Sequence, residues 1–546
     1  MTSSLHILMV AAENDGIKTP KGQEAKAGGI GDVVRDTPPA LAALEDKDCR
    51  VTIVVPSYGA LHKLQGAKKC CTYDFSFAGG SEQVDLYQVN GKTPDAKVRH
   101  LVLHNSRFEP PQSVSGKLPI YLDDPPGRPF ASDGTKFACF CAAVAEGLKE
   151  CRFDDAEFGE VNRLHLHDWH GALLLILRFF DPQLAALKQL RTVYTIHNLA
   201  FQGIRPSNGD SSSLGAWYPH LKLQDHEVRL LSDPDYANCV NPMAVGIRLS
   251  NAVHVVSPGY KPEVLRPTDP HRSDPDAIRF GGEGLEVDLL QADAGERLFG
   301  ILNGCQYDDR KMPRRNDADF QELLRLLEET ASHWFDNNPQ PVHALARERI
   351  KKLQTSGTRP DGLLTCVTRV VNQKMRLMRM PAGKPSLEAI LKGLPDNHVL
   401  ILLGNGDHTL EIFLEGLSKR FDNFIFLNGF DSSAADALYA NGDLFLMPSS
   451  FEPCGISQMM AMRDGQPCVV HHVGGLKDTV HDKITGFDFC GDTPHDQAEN
   501  FVKCVFAALE LLRSDPVRYD TIRHAAFKKR FWWRDSVQQY VKFLYQ

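Results

Sequence analysis

Pro448–Val480 reads PSSFEPCGISQMMAMRDGQPCVVHHVGGLKDTV. The short apolar run before it, Leu444–Met447, has the length and composition of a buried parallel strand. The strand ends at Pro448, a turn carries Glu452, and a helix is expected to open near Cys454-Gly455-Ile456-Ser457. A carboxylate beside the free N–H groups of a helix start is an unusual pairing, because that end favours an anion from a ligand. A site that grips a sugar and a phosphate together would want both parts.

Working outward, strand-like and helix-like segments alternate. Strands are expected at Leu5–Val10, Val51–Val55, His100–His104, Arg163–Leu166, Thr192–Ile196 and His254–Val256. A second set follows at Leu363–Thr368, Val399–Leu403, Phe424–Leu427, Asp443–Met447 and Pro467–His471. Helical patterns lie between them, as at Thr135–Lys149, Ala434–Ala440 and Gln497–Leu512. A polar, helix-prone stretch, Met312–Arg359, separates the sets. The pattern predicts an α/β protein with two doubly wound, Rossmann-like domains facing a cleft. Ligands of such sheets bind beyond the carboxyl ends of the strands. Pro206–Asp210 and Lys261–Arg279 read as loops.

The chain of 546 residues is long enough for two domains, and 42% hydrophobic with 24% charged residues fits a soluble protein. A net charge of −8 argues against nucleic acid as a partner. No segment approaches the roughly 20 apolar residues of a membrane helix, so no membrane partner is expected. MTSSLHILMVAAE lacks the marks of a signal or transit peptide. The 13 cysteines show neither a disulfide framework nor a CxxC. A cytoplasmic location is the expectation, and oligomeric state is not legible.

Four further stretches carry chemistry. Lys26-Ala27-Gly28-Gly29-Ile30-Gly31-Asp32-Val33 offers glycine amides and a lysine to an anion, but is neither GxGxxG nor a Walker loop. His165-Leu-His167-Asp168-Trp169-His170 places histidines at a strand end. Zinc is a weak reading of it, and buried, hydrogen-bonded histidines or a polar cleft lining are the alternatives. Arg369-Val-Val-Asn372-Gln373-Lys374 puts two cations across a turn, able to neutralise one diphosphate or to lie on a solvated surface. In Asn428-Gly429-Phe430-Asp431, Phe430 could stack on a nucleobase or belong to the core.

Together these motifs resemble the bacterial glycogen synthase and plant starch synthase family, nearly end to end. Lys26–Val33 resembles its lysine-x-glycine-glycine-leucine-glycine-aspartate loop, and His165–Ala172 its HDWH segment. YTIHNLAFQG (Tyr194–Gly203), VVSPGY (Val255–Tyr260), GILNG (Gly300–Gly304) and Arg369–Lys374 also match. Phe451–Gly455 with Gly474–Val480 is the most specific match. The closing RFWWRDSVQQYVKFLY resembles the family's final helix, which returns to the first domain.

The resemblance implies a GT-B arrangement, with residues 1–305 on the acceptor side, 306–525 binding the nucleotide sugar, and 526–546 packing back on the first domain. It implies transfer of glucose from ADP-glucose to the non-reducing 4-hydroxyl of an α-1,4-glucan with retention, with no cofactor or metal. Another nucleotide sugar or acceptor, or a weakly active glucan-binding paralogue, is the alternative. Lys26, Gly28 and Gly29 would hold the diphosphate and reacting end. Asp32, His170 and Asn303 would line the sugar site. Arg369 and Lys374 would bind the diphosphate, and Glu452 the hexose. Gly455 and Ser457 would cap the distal phosphate, with Phe430 beside the base. Departures are Met375 after Gln-Lys, the stretch NGCQYDDRKMP without the family's tryptophan, and an insertion, Asn14–Glu24.

Overall fold

The computed structural model describes residues 4–20, 23–109, 118–268, 281–309, 311–381 and 383–546. The chain divides into two compact units, one running to Gly304 and regaining the chain at Trp533–Gln546, the other comprising Cys305–Trp532. Among the described residues no single helix is long and apolar enough to cross a membrane.

The first unit is built on β1 (Leu5–Val10), β2 (Cys49–Pro56), β3 (Lys68–Phe77), β4 (Gly80–Val89), β5 (Val98–His104), β6 (Arg163–His167) and β7 (Arg191–Ile196). A ribbon of β8 (Arg205–Pro206) and β9 (Cys239–Val240) precedes β10 (Ala252–Val255) and β11 (Leu298–Gly300). The main sheet has the order β11-β10-β7-β6-β1-β2-β5-β4-β3. Its pairs are parallel except β3–β4 and β4–β5. The antiparallel hairpin β3–β4 and the short β11 have no counterpart among the expected strands. The hairpin alternates exposed and buried positions along β3, an edge pattern weaker in hydropathy than the continuous run of β1. The order reverses direction between β1 and β6, which is the switch point of this sheet.

The second unit carries β12 (Gly362–Val367), β13 (His398–Gly404), β14 (Phe424–Asn428), β15 (Leu444–Met447), β16 (Cys468–His471) and β17 (Phe487–Phe489). They form a six-stranded sheet in the order β14-β13-β12-β15-β16-β17, parallel throughout, with its switch point between β12 and β15. The stretch expected to separate the domains instead forms two helices of this unit, Asp317–Asn337 and Pro341–Ser356. They bury Phe320, Leu323, Leu324, Leu327, Val342, Ala346 and Ile350. A charged outer face makes them read as a linker. The expected boundary at 525 falls inside the helix Pro516–Lys528.

The C-terminal helix Trp533–Gln539, continued by a π turn at Tyr540–Leu544, packs on the first unit. Gly304 marks the contact: a Cβ there would lie 2.6 Å from Trp533. Arg163 and Arg191 donate to the Tyr545 and Leu544 carbonyls at 2.6 and 2.9 Å. Of the expected loop 261–279, part lies in the helix Tyr260–Val264, and residues 269–279 lie outside the described residues.

Polar groups under this terminal segment form a buried chain, with a separate His167–His197 pair beside it. The Tyr545 hydroxyl bonds His165 Nδ1 at 2.7 Å, and Thr195 Oγ1 links His165 Nε2 (2.6 Å) to His254 Nδ1 (3.0 Å). His254 Nε2 meets the Ile301 carbonyl at 3.0 Å, and His167 Nδ1 meets His197 Nε2 at 2.9 Å. Burial depresses all of these imidazoles, His254 to about 4. Their unfolded value is about 6.5. The unfolded chain therefore takes up protons that the native chain refuses. Stability is complete above the unfolded value and falls as pH drops below it, towards the depressed native values. Each such histidine contributes a slope of up to about 1.4 kcal/mol per pH unit. Denaturant titrations on either side of the unfolded value should show a steep loss of unfolding free energy on the acid side, which His165→Gln weakens. A flat profile would disprove the linkage.

Candidate active site

In the second unit the candidate residues gather at the switch point. Arg369 follows β12, and Lys374 lies in the first turn of the helix Asn372–Arg379. Glu452 follows β15. Lys374 Nζ and Glu452 Oε2 form an ion pair across the divide between the two strands, with side chains 13% and 8% exposed. The loops are tied directly: Ser450 N–H donates to the Gln373 carbonyl at 2.9 Å, and Gln373 Nε2 to the Phe451 carbonyl at 2.9 Å. The helix at Gly474 closes the other side, where Gly475 N–H donates to the Glu452 carbonyl at 3.1 Å. A Cβ on Gly475 would sit 2.3 Å from the Cys454 carbonyl oxygen, which explains the second glycine of the motif's pair. Arg369 is exposed and makes no ion pair among the described residues. Its guanidinium is therefore available, whereas the Lys374 ammonium is already committed.

Gly455 has φ +78°, so a left-handed turn leads into the helix, which opens at Ser457 within the expected start. The helix runs from Ser457 to Arg463. Phe430 is 43% exposed, immediately after β14. It is not a core side chain. Met375, which replaces a glycine of the family pattern, is fully buried in the core of this unit.

In the first unit the Gly-rich stretch folds differently from its expectation. The helix Gly29–Ala42 begins inside the motif. The Ala27 and Gly28 amides donate to Glu13 Oε2 at 2.7 and 2.8 Å, so an internal carboxylate takes the place expected for a phosphate oxygen. Glu13 Oε1 accepts from the Tyr121 hydroxyl at 2.7 Å. Gly29 faces open space. Lys26 Nζ contacts Asp32 at 2.9 Å and Asp15 at 3.6 Å. Arg35 reaches Asp15 at 2.6 Å and Asp32 at 2.8 Å, and Lys92 reaches Asp15 at 2.6 Å. Burial opposes the Lys26 charge, but Asp32 and Asp15 outweigh it and hold the ammonium above its ordinary value. Asp15 belongs to the insertion, whose described residues are anchored by an Ile17–Gly91 bridge and by Lys92 N–H on the Gly16 carbonyl at 2.7 Å.

His170 lies in the first turn of the helix Asp168–Phe180, after β6. The strand passes into this helix without a loop, which forces Asp168 to φ +48°. Asp168 accepts the His197 N–H at 2.7 Å, while burial pushes its carboxyl up to about 8. The His170 ring is held by Trp169, Phe137 and Tyr121 at centroid distances of 4.2, 4.6 and 5.3 Å. Burial, then Lys136 and His197, keep it neutral. Its Nδ1 and Asn303 Oδ1 are buried polar atoms with no partner among the described residues. Both follow carboxyl ends, of β6 and β11.

Residues 6–291 match the family described as starch synthase catalytic domain, more than half of the chain, and residues 379–509 match glycosyl transferases group 1. The chain belongs to the starch synthase catalytic-domain family. Its relatives include the glycogen synthase of Aeromonas salmonicida (strain A449), 28% identical over 550 residues, covering 99% of this chain and 98% of the relative. The glycogen synthase of Streptococcus equi subsp. zooepidemicus (strain H70) is 29% identical over 552 residues, covering 98% of each. The catalytic domain of starch synthase IV from Arabidopsis thaliana, bound to ADP and acarbose, superposes with a TM-score of 0.70. It is 24% identical, with 100% of this chain and 99% of that one covered. Sucrose-phosphate synthase from Thermosynechococcus elongatus gives 0.52 at 16% identity, with 98% of each covered. These two likenesses show the fold, two Rossmann-like parts of the GT-B kind.

This starch synthase family member is therefore a glycosyltransferase. Several residues beside its candidate sites escape a reading of the sequence. Glu13 is an ordinary strand-end residue in sequence, yet it clamps the Gly-rich loop. Tyr121 lies in an irregular segment with no motif. Asp15 looks like part of a passive insertion. Gly31 carries the one legible signal: an added Cβ there would lie 2.3 Å from the Lys26 Cβ, so the motif's third glycine serves close packing.

Proposed function

We propose that this chain transfers glucose from ADP-glucose to the non-reducing 4-hydroxyl of an α-1,4-glucan with retention at C1. The observation that carries the reading is the Lys374–Glu452 pair spanning the β12/β15 switch point, with exposed Arg369 and Phe430 at the same edge of the sheet. Crevices of that kind bind nucleotides in open α/β sheets. Glycogen synthase relatives aligned over almost the whole chain support the donor and the acceptor class. So does the ADP named with the Arabidopsis domain.

The second unit is assigned the nucleotide sugar. Arg369 and Lys374 stabilise the charge that grows on the departing diphosphate. Glu452 accepts hydrogen bonds from the hexose hydroxyls. Phe430 offers a face to the base. Lys26, Asp32, His170 and Asn303 are the first unit's candidate sugar-binding residues. Neutral His170 can hydrogen-bond a hydroxyl but cannot neutralise a phosphate. The C1–O bond to the diphosphate breaks as the bond from C1 to the acceptor oxygen forms on the same face. The acceptor's proton passes to the leaving phosphate, so ADP departs and no side-chain base is required.

A panel of ADP-glucose, UDP-glucose and GDP-mannose with glycogen tests the donor. Preference for ADP-glucose is expected, and preference for GDP-mannose or inertness towards all three would overturn the reading. Because side-chain cations are assigned to the diphosphate, activity should persist in EDTA. Loss in EDTA with recovery in magnesium or manganese would transfer that role to a metal.

A further inference from the structure

The second unit buries a group of arginines that nothing above uses. Arg315 precedes the helix Asp317–Asn337, Arg359 precedes β12, and Arg523 lies on the helix Pro516–Lys528. Around them stands Asp443, which precedes β15 and whose Oδ2 accepts the Leu363 N–H at 2.8 Å. This is the amino-terminal edge of the sheet, opposite the candidate active site.

Arg315 is 8% exposed. Its Nε and Nη2 donate weakly to the Ala440 and Asp464 carbonyls, each at 3.3 Å. Arg359 directs Nη2 to Asp443 at 2.9 Å and to the Asn441 carbonyl at 2.7 Å. Arg523 directs Nη1 to Asp520 at 3.1 Å. Four guanidinium nitrogens remain, all buried and without a hydrogen-bond partner among the described residues: Arg315 Nη1, Arg359 Nε, and Arg523 Nε and Nη2. Buried charge is costly unless paired, and unpaired buried donors lose their full hydration. Burial, followed by repulsion from Arg523, lowers Arg315 to about 9, although Asp443 opposes the fall. The Arg359 and Arg523 side chains are 12% and 17% exposed, so the group reaches the surface through them.

We propose that Arg315, Arg359 and Arg523 form a second oxyanion site that takes a phosphate group, as free phosphate or as a phosphate monoester. Planar guanidinium forks match the tetrahedral oxygens of phosphate. Three guanidiniums against the Asp443 and Asp520 carboxylates leave one surplus positive charge, which a phosphate monoanion balances. Carboxylate ligands, with two oxygens, would satisfy fewer of the donors. The site does not depend on the proposed transferase chemistry.

The test is a thermal melt of the full chain in sodium phosphate against sodium chloride at matched ionic strength. At about ten times the dissociation constant, phosphate should raise the transition by roughly 3–6 °C. Lys374→Ala, which disables the nucleotide-facing cation, should keep the shift. Arg523→Gln, on a partly exposed helix face, should abolish it while ADP affinity stays close to wild type. Glucose 6-phosphate run in parallel distinguishes the sources: a larger shift than inorganic phosphate assigns a monoester, and an equal one assigns free phosphate. No shift in wild type, or one that survives in Arg523→Gln, overturns the site. A shift lost in Lys374→Ala instead assigns phosphate to the nucleotide edge and equally overturns it. Should Arg523→Gln unfold, Arg359→Lys, which keeps charge but removes the fork, must weaken phosphate affinity by about tenfold or the proposal fails.

Discussion

Glu452→Ala lowers kcat by about 10²-fold or more, because the hexose loses the carboxylate that positions it for attack. Sequence alone suggests a stable variant. The ion pair changes that expectation. Lys374 and Glu452 are both nearly buried, so removing one leaves an uncompensated charge beside the sheet. Breaking such a pair costs about 3–5 kcal/mol. Glu452→Ala should therefore lose stability as well as turnover, as measured by denaturant unfolding. Glu452→Gln separates the effects, since it keeps the side chain's volume and can accept a hydrogen bond. It should unfold closer to wild type yet remain about tenfold or more impaired in kcat. Near wild-type turnover in either variant removes Glu452 from the site.

Lys374→Ala and Arg369→Ala each cost about 2–4 kcal/mol in transition-state stabilisation, the scale of losing one preorganised group facing developing charge. ADP affinity should weaken in both. Their stabilities should differ. Lys374 neutralises Glu452 inside the switch point, so its loss lowers the melting temperature. Arg369 is exposed and makes no ion pair among the described residues, so its loss leaves melting unchanged. Lys351 and Lys352 are suitable controls. They lie on the helix Pro341–Ser356 with side chains 56% and 78% exposed, where their pairs with Glu328 and Asp422 contribute little. Substituting them should be nearly silent in kcat/KM. Equal losses at both pairs of cations would mean that bulk charge, not a formed site, governs catalysis.

The parallel strands are legible because each is a continuous apolar run between polar segments. β1 and β12 are buried at every position, and β13 is nearly so. Once the strands are placed, residues at their carboxyl ends are candidates by topology, and Arg369, Lys374, Glu452 and His170 lie there, whereas Asn303 follows β11, which the apolar runs do not reveal. The hairpin β3–β4 escapes the same reading because its alternating exposure dilutes the apolar signal. Local sequence also cannot reveal that β12 and β15 are neighbours. Lys374 and Glu452 stand 78 positions apart and meet only through the crossover order of the sheet.

The α/β class, the two strand sets and the family follow from the order of residues alone, since each rests on local hydropathy or on contiguous motifs. Which charges are free and which are committed emerges only when the chain is packed. Lys26, Asp32 and Arg35 share one stretch, but they pair with Asp15 of the insertion, which also takes Lys92 from a distant segment. Glu13 takes the Ala27 and Gly28 amides, while Arg369 keeps its charge exposed. Pairing of this kind depends on distance and burial, because Coulomb energy and desolvation both change steeply over a few ångströms. Neither quantity is written in a stretch of neighbouring residues.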